Sequence, residues 1–276
     1  LSLLMCGALF QFTPVLVDRP LNRPALVLPS LMMLAIGLVF LLAGFLQLGG
    51  RIDSGLPLLA IGGCMLLLGF ALATFVLGET LWAARPLPLP AWFVALGLAC
   101  LLALAGLGLL FTHLLSGLVE WDALAERLNQ LTGLHAAIGL GGWLTFSAIG
   151  VSYRLLPMFM LAPEATRATS RWVWTSGALA MAASALGAPA ETILTGAASV
   201  SLLVAGTGLY LMLALYAADL VHLYRNRRRR TVELNIKAAG GAFAALYASA
   251  LLGGALVATG TLERNAGALG CLLLFG

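Results

Sequence analysis

Long apolar stretches punctuated by proline, glycine and charge set the rhythm of this chain. They cover residues 1–17, 25–50, 56–84, 91–119, 134–162, 172–189, 192–224 and 237–260, with a further partial stretch from 266. A helix needs about 20 residues to cross the hydrocarbon core of a bilayer, so the pattern predicts about nine transmembrane helices, the first and last incomplete. Leu1 lies within one apolar run and Gly276 within another, which gives the expectation of a fragment cut through a helix at each end. The polar stretch 120–131 has a pattern of its own, with Trp121, Leu124, Leu128 and Leu131 spaced three, four and three residues apart. That spacing is one face of a short helix. With Trp121 at headgroup depth and the acids outward, it would lie flat on the membrane surface, as a lid over a site or as a plain connector.

Composition sharpens the class. Hydrophobic residues make up 61% of the 276 and charged residues 9%, which excludes a soluble globule and defines an all-α polytopic membrane protein. The basic residues are unevenly placed. Arg154 and the turns after odd-numbered spans, at 19, 23, 85, 167, 171, 225, 227–230 and 237, hold twelve of the fifteen, and the turns after even-numbered spans hold only Arg51, Arg127 and Arg264. Cytoplasmic loops are the basic ones, so the first side reads as cytoplasmic. The run Arg227 to Arg230 reads as a topology anchor, and the expected partner is the lipid bilayer rather than nucleic acid. Cys6, Cys64, Cys100 and Cys271 fall inside apolar segments without metal-ligand spacing and read as small core residues.

An internal repeat organises the spans. Gly7-Ala-Leu-Phe-Gln-Phe-Thr-Pro14 in the first matches Gly150-Val-Ser-Tyr-Arg-Leu-Leu-Pro157 in the fifth, an offset of 143, and a short turn with Arg and Pro follows each. Two spans later Glu79 and Asp219, at an offset of 140, each sit just inside a helix that closes in basic residues. The unit is therefore four helices: 1–131 with the short surface helix, 132–262, and the start of a third unit at 263–276. Three such units would make a twelve-helix bundle. An even-numbered unit places both copies in the same orientation, unlike the inverted halves of many transporters.

The stretch from His135 to Pro163 is the centre of this plan. Gly139, Gly141, Gly142, Ala148 and Gly150 let neighbouring helices approach closely, and Pro157 frees a carbonyl one turn earlier. His135 near its start and His113 near the end of the fourth span lie toward the same side of sequential helices. They read as candidate ligands of a shared haem or copper site, or else as interfacial histidines bonded to water or a carbonyl. His222, beside Tyr224 and Arg225, is explained by snorkelling. Ionisable groups within spans are functional candidates. Arg154 pairs with Glu79 or Asp219 in one reading. In the other the acids open a proton path continued by Thr145, Ser147, Ser152 and Tyr153.

The three-fold, four-helix plan, the stretch His135 to Phe159 and the basic run before Thr231-Val-Glu-Leu234 resemble bacterial membrane proteins related to the catalytic subunit of haem-copper oxidases, including the NnrS-like group. Those relatives tend to read His-x-His-Leu-Gly where this chain has His135 followed by Ala137. The resemblance implies a membrane redox protein of the bacterial inner membrane, binding haem or copper through His135 and His113, handling oxygen or nitric oxide and taking electrons from a donor. The alternative is a metal-free transporter or scaffold that keeps the fold.

Overall fold

The computed structural model describes residues 1–276 except 165, 166, 196–198, 230, 232 and 276; the side chains of 123, 129, 130, 193, 199, 262, 263, 266, 271 and 273–275 are likewise outside the description. The chain is 83% helix, with no strand among the described residues, as its apolar composition requires of a protein whose backbone bonds close within each segment. In chain order the helices are α1 (Ser2–Val17), α2 (Val27–Leu48), α3 (Leu58–Ala83), α4 (Leu89–Leu115), the single turn α5 (Asp122–Ala125) and α6 (Leu128–Ala137). There follow α7 (Thr145–Met160), α8 (Ala168–Ala182), α9 (Ala188–Thr195), α10 (Ser199–Arg225), α11 (Leu234–Ala258) and α12 (Leu262–Phe275).

Among the described residues six helices are long and apolar enough to cross a membrane: Pro24–Leu48, Leu58–Ala83, Leu89–Leu115, Leu131–Met160, Val200–Arg225 and Leu234–Ala258. The protein is thus a multi-pass membrane protein. The other three expected spans are helical and fall outside that group. α1 has 16 residues and α12 has 14, while the sixth span forms a longer run, 168–195, broken by a π-helical segment at Ala183–Gly187. That segment lies just before Pro189, whose ring would clash with the carbonyl four residues back and whose missing N–H leaves that carbonyl unbonded. Widening the helix relieves both.

The stretch 120–131 differs from the expected free-standing surface helix. Only Asp122–Ala125 forms a separate turn, and from Leu128 the chain is already in the helix that runs through α6, a π-helical segment Ile138–Leu144, and α7. Nothing between 128 and 131 breaks a helix, and the Thr132 hydroxyl donates to the Leu128 carbonyl at 2.7 Å, so the central helix begins earlier than its apolar run. The π-helical segment falls on Gly139, Gly141 and Gly142, where absent side chains allow the backbone to widen. Thr145 Oγ1 donates to the carbonyl five residues back, Leu140, at 2.7 Å.

Glycines set the closest helix contacts. Gly37 and Gly44 on α2, and Gly62 and Gly69 on α3, are each seven residues apart, so each pair holds one face. A Cβ at Gly44 would stand 2.5 Å from Leu59 Cα, and one at Gly62 2.5 Å from Leu41 N. The central helix lies against α4 in the same way. A Cβ at Gly150 would be 2.7 Å from the Pro90 carbonyl oxygen, one at Gly142 2.8 Å from Cys100 Sγ, and one at Gly97 2.6 Å from Ser147 Oγ. The largest fully buried side chain, Trp143, sits at this contact and donates from Nε1 to Ser2 Oγ at 3.2 Å.

The chain divides into two compact units, Leu1–Arg154 with Trp174–Leu209, and Leu155–Val173 with Tyr210–Gly276. They cut across the sequence-order boundaries at 131 and 262, because the glycine contacts with α4 draw the central helix as far as Arg154 into the first unit. In the second unit Leu156, Met160 and Leu223 form a small core against Leu220, Ile236 and Phe243.

One local motif occurs once in each unit. Pro14 and Pro157 each lie inside a helix three residues before its end. The residue four positions on is left-handed in both, Asp18 at φ 51° and Leu161 at φ 50°. The residue five positions on donates its N–H back to the proline carbonyl, Arg19 to Pro14 at 3.2 Å and Ala162 to Pro157 at 3.0 Å. This is the six-to-one closure that satisfies an orphan carbonyl at a helix end, reproduced at the offset of 143.

Candidate functional site

A cavity of about 440 Å³ lies in the first unit among α1, α2, α3, α4 and α6. Its wall is almost wholly apolar, with Phe45, Leu66, Phe70 and Phe111 among the larger groups. Ser2, Thr112, Thr132 and His135 are its polar side chains. The volume falls within the ~300–1,000 Å³ of small-molecule sites, which are mostly apolar with a few placed polar groups.

His135 reaches this wall because α6 starts at Leu128 and carries it into the bundle beside α4. Its ring packs 5.6 Å from the Phe111 ring, over Gly108, where a Cβ would stand 3.3 Å from its Cε1. Its Nδ1 is buried and has no hydrogen-bond partner among the described residues. An imidazole so placed costs about 1–3 kcal/mol for the unmet polar group, which bonding to an occupant of the cavity would offset.

His113 is turned elsewhere. It lies five residues beyond Gly108 on α4, roughly 140° further round the helix, so it does not line the cavity with His135. Its Nδ1 contacts the Leu109 carbonyl at 2.9 Å and its Nε2 lies 3.9 Å from Cys64 Sγ on α3. The expected pair is therefore split, one imidazole on the cavity and one on the α3/α4 face. His222 lies at the end of α10 with Asn226 Nδ2 3.2 Å from its Nδ1. Among the described residues no three His, Cys, Asp or Glu groups converge as a metal cluster.

Each acid has an arginine from a nearby loop beside it. Glu79 pairs with Arg23 at 2.7 Å, and Asn22 N donates to the neighbouring Thr80 Oγ1 at 3.0 Å. Asp219 is 2% exposed and accepts from Thr169 Oγ1 and Ser170 Oγ, each at 2.6 Å, and from Arg167 at 3.3 Å. Arg23 and Arg167 lie nine and ten residues after Pro14 and Pro157, so each acid is held from the loop that follows its unit's proline helix. Arg154 lies 4.0 Å from the highly exposed Asp18. Asp219 also faces the first turn of α8, where a carboxylate is favoured by the helix dipole.

The hydroxyls expected to extend a proton path all lie on the central helix. Thr145 and Ser152 donate to carbonyls of their own helix, Leu140 and Ile149, at 2.7 Å each. Ser147 is buried beside Gly97, and Tyr153 is buried with its ring 5.4 Å from that of Phe93.

The basic run has a role that sequence reasoning missed. Arg229 donates from its backbone to the Met160 carbonyl at 3.2 Å and from its guanidinium to the Phe159 carbonyl at 3.2 Å, while Arg228 N reaches Leu161 O at 3.4 Å. The run thus caps the end of α7 with cations, where the helix dipole favours them. Arg230 lies outside the described residues.

No family model matches this chain, and neither a curated protein nor a solved structure does.

Proposed function

We propose that this chain belongs to a multi-pass redox protein of a bacterial inner membrane, of haem-copper oxidase-like type, in which His135 would hold haem in the apolar cavity. The observation that carries the reading is a buried imidazole nitrogen, Nδ1 of His135, with no hydrogen-bond partner among the described residues, set in the wall of a 440 Å³ apolar cavity. Haem suits that donor set, since one imidazole suffices to anchor it and the surrounding apolar wall tunes it, whereas a copper centre draws on several nitrogen or sulfur ligands. Phe111, Leu66 and Phe70 would line its site, with Ser2, Thr112 and Thr132 as the polar side chains there. Bound haem would supply one-electron chemistry and a position for oxygen or nitric oxide. The chain's own contribution is to exclude water, hold the ring of His135 against Phe111, and receive an electron donor's reducing equivalent within the bundle.

The four-helix pseudo-repeat, nine spans and descent from a twelve-helix plan belong to the same proposal. Two observations support it: the shared proline closure at the ends of α1 and α7, and the matched pairs Arg23–Glu79 and Arg167–Asp219. The test is a pyridine haemochrome assay on purified full-length protein. About one haem per chain, lost in His135→Ala, is the expected result. An absence of haem from the wild type would leave the metal-free transporter or scaffold reading in its place.

A further inference from the structure

The cysteines were expected to be core residues, and two of them are: Cys6 is 0% exposed and Cys100 is 4%. Cys64 is exposed instead, in the second turn of α3. The reason lies in its neighbour. Gly63 meets Thr112 on α4 so closely that a Cβ there would collide with the threonine hydroxyl. That contact turns Gly63 inward, places Cys64 at the edge of the helix pair, and sets it beside His113, the residue after Thr112.

We propose that Cys64 and His113 form a binding site for a soft monovalent cation, copper(I) or its redox-inert mimic silver(I). Sγ of Cys64 lies 3.9 Å from Nε2 of His113. Metal bonds of ~2.3 Å to sulfur and ~2.0 Å to nitrogen separate the two ligands by roughly 3.5 Å at a tetrahedral angle and roughly 4.3 Å when they are opposed. The observed separation falls between these limits, so an ion fits without moving either helix. The imidazole is also set correctly. A carbonyl only accepts, so the Leu109 oxygen at 2.9 Å fixes the proton on Nδ1 and leaves the Nε2 lone pair toward the sulfur. Ligating histidines carry this bond to a backbone carbonyl or carboxylate.

Chemistry selects the ion. Thiolate and imidazole favour soft metals over magnesium or calcium, and zinc takes four ligands where this pair provides two. Binding replaces the thiol hydrogen with the metal and releases that proton to solvent; nothing is oxidised or reduced. The site is separate from the cavity of His135 and stands whether or not haem binds there.

The test uses full-length protein in detergent under anaerobic conditions, titrated with silver(I) in competition with a chromophoric chelator. The wild type should bind one equivalent at least ten-fold more tightly than Cys64→Ser or His113→Gln, and His135→Ala should match the wild type. Silver should also slow maleimide alkylation of Cys64, located by mass spectrometry, at least ten-fold in unmutated protein, a readout independent of how the variants fold. Equal affinity in the Cys64→Ser and wild-type proteins, or alkylation of Cys64 unchanged by silver, would overturn the proposal.

Discussion

Replacing Asp219 separates the two acid–arginine pairs by their surroundings. Its side chain is 2% exposed and receives two hydroxyls at 2.6 Å, whereas its arginine, Arg167, is 41% exposed and stays solvated. Hydrogen bonds to a charged group contribute about 1.5–3 kcal/mol each, and removing one member of a buried charged cluster costs about 3–5 kcal/mol. Asp219→Ala strands both hydroxyls and should lose about 3–5 kcal/mol. Asp219→Asn keeps one acceptor oxygen but turns an amide on the other hydroxyl, for a loss of about 1–3 kcal/mol. Glu79→Gln should lose less than about 1 kcal/mol, because its pair with Arg23 is 33% and 59% exposed and surface pairs of this kind contribute little. The assay is SDS-induced unfolding of the detergent-solubilised protein, followed by tryptophan fluorescence. Ser170→Ala combined with Asp219→Asn should be less than additive, since the two share one bond. An Asp219→Ala variant as stable as wild type would refute the assignment of the carboxylate as the anchor of α8.

Further variants probe the rest of the packing. Gly44→Ala should cost about 1–3 kcal/mol by overpacking against Leu59, while Gly106→Ala, with nothing within 4 Å of its Cβ position, should be neutral in the same unfolding assay. Leu161→Gly should stabilise the protein by about 1 kcal/mol, because a leucine at φ 50° carries a left-handed penalty that glycine lacks; a loss of stability there would show that the proline closure depends on the leucine side chain. Arg229→Ala should fray the end of α7, read as faster amide hydrogen exchange at 160–162, with unchanged exchange counting against the capping role.

The helical class and the main apolar helices were legible because each is written in local sequence, as apolar runs of membrane length, and the like helix ends after Pro14 and Pro157 follow from prolines visible in the chain. Partner choice was not. Arg154 lies at a depth that suits Glu79, but Arg23 reaches that acid because the turn after α1 brings it there, and nothing in the spacing announces the path of a turn. The small residues of the central helix were visible as a close-contact surface, while the π-helical widening at Ile138–Leu144 depends on neighbours that sequence does not show. The seven-residue glycine spacing on α2 and α3 was readable and would have matched those two helices face to face. Cys64 was misread as core because an apolar run does not mark which face of its helix is buried.

The central claim rests on His135, and imidazole rescue tests it most directly. Optical spectra of full-length wild-type protein and His135→Gly should be recorded with haem supplied during expression. The account predicts a Soret band in the wild type, its loss in His135→Gly, and its return when millimolar imidazole fills the space the side chain left. A Soret band unchanged by His135→Gly, or no haem in the wild type, would contradict it.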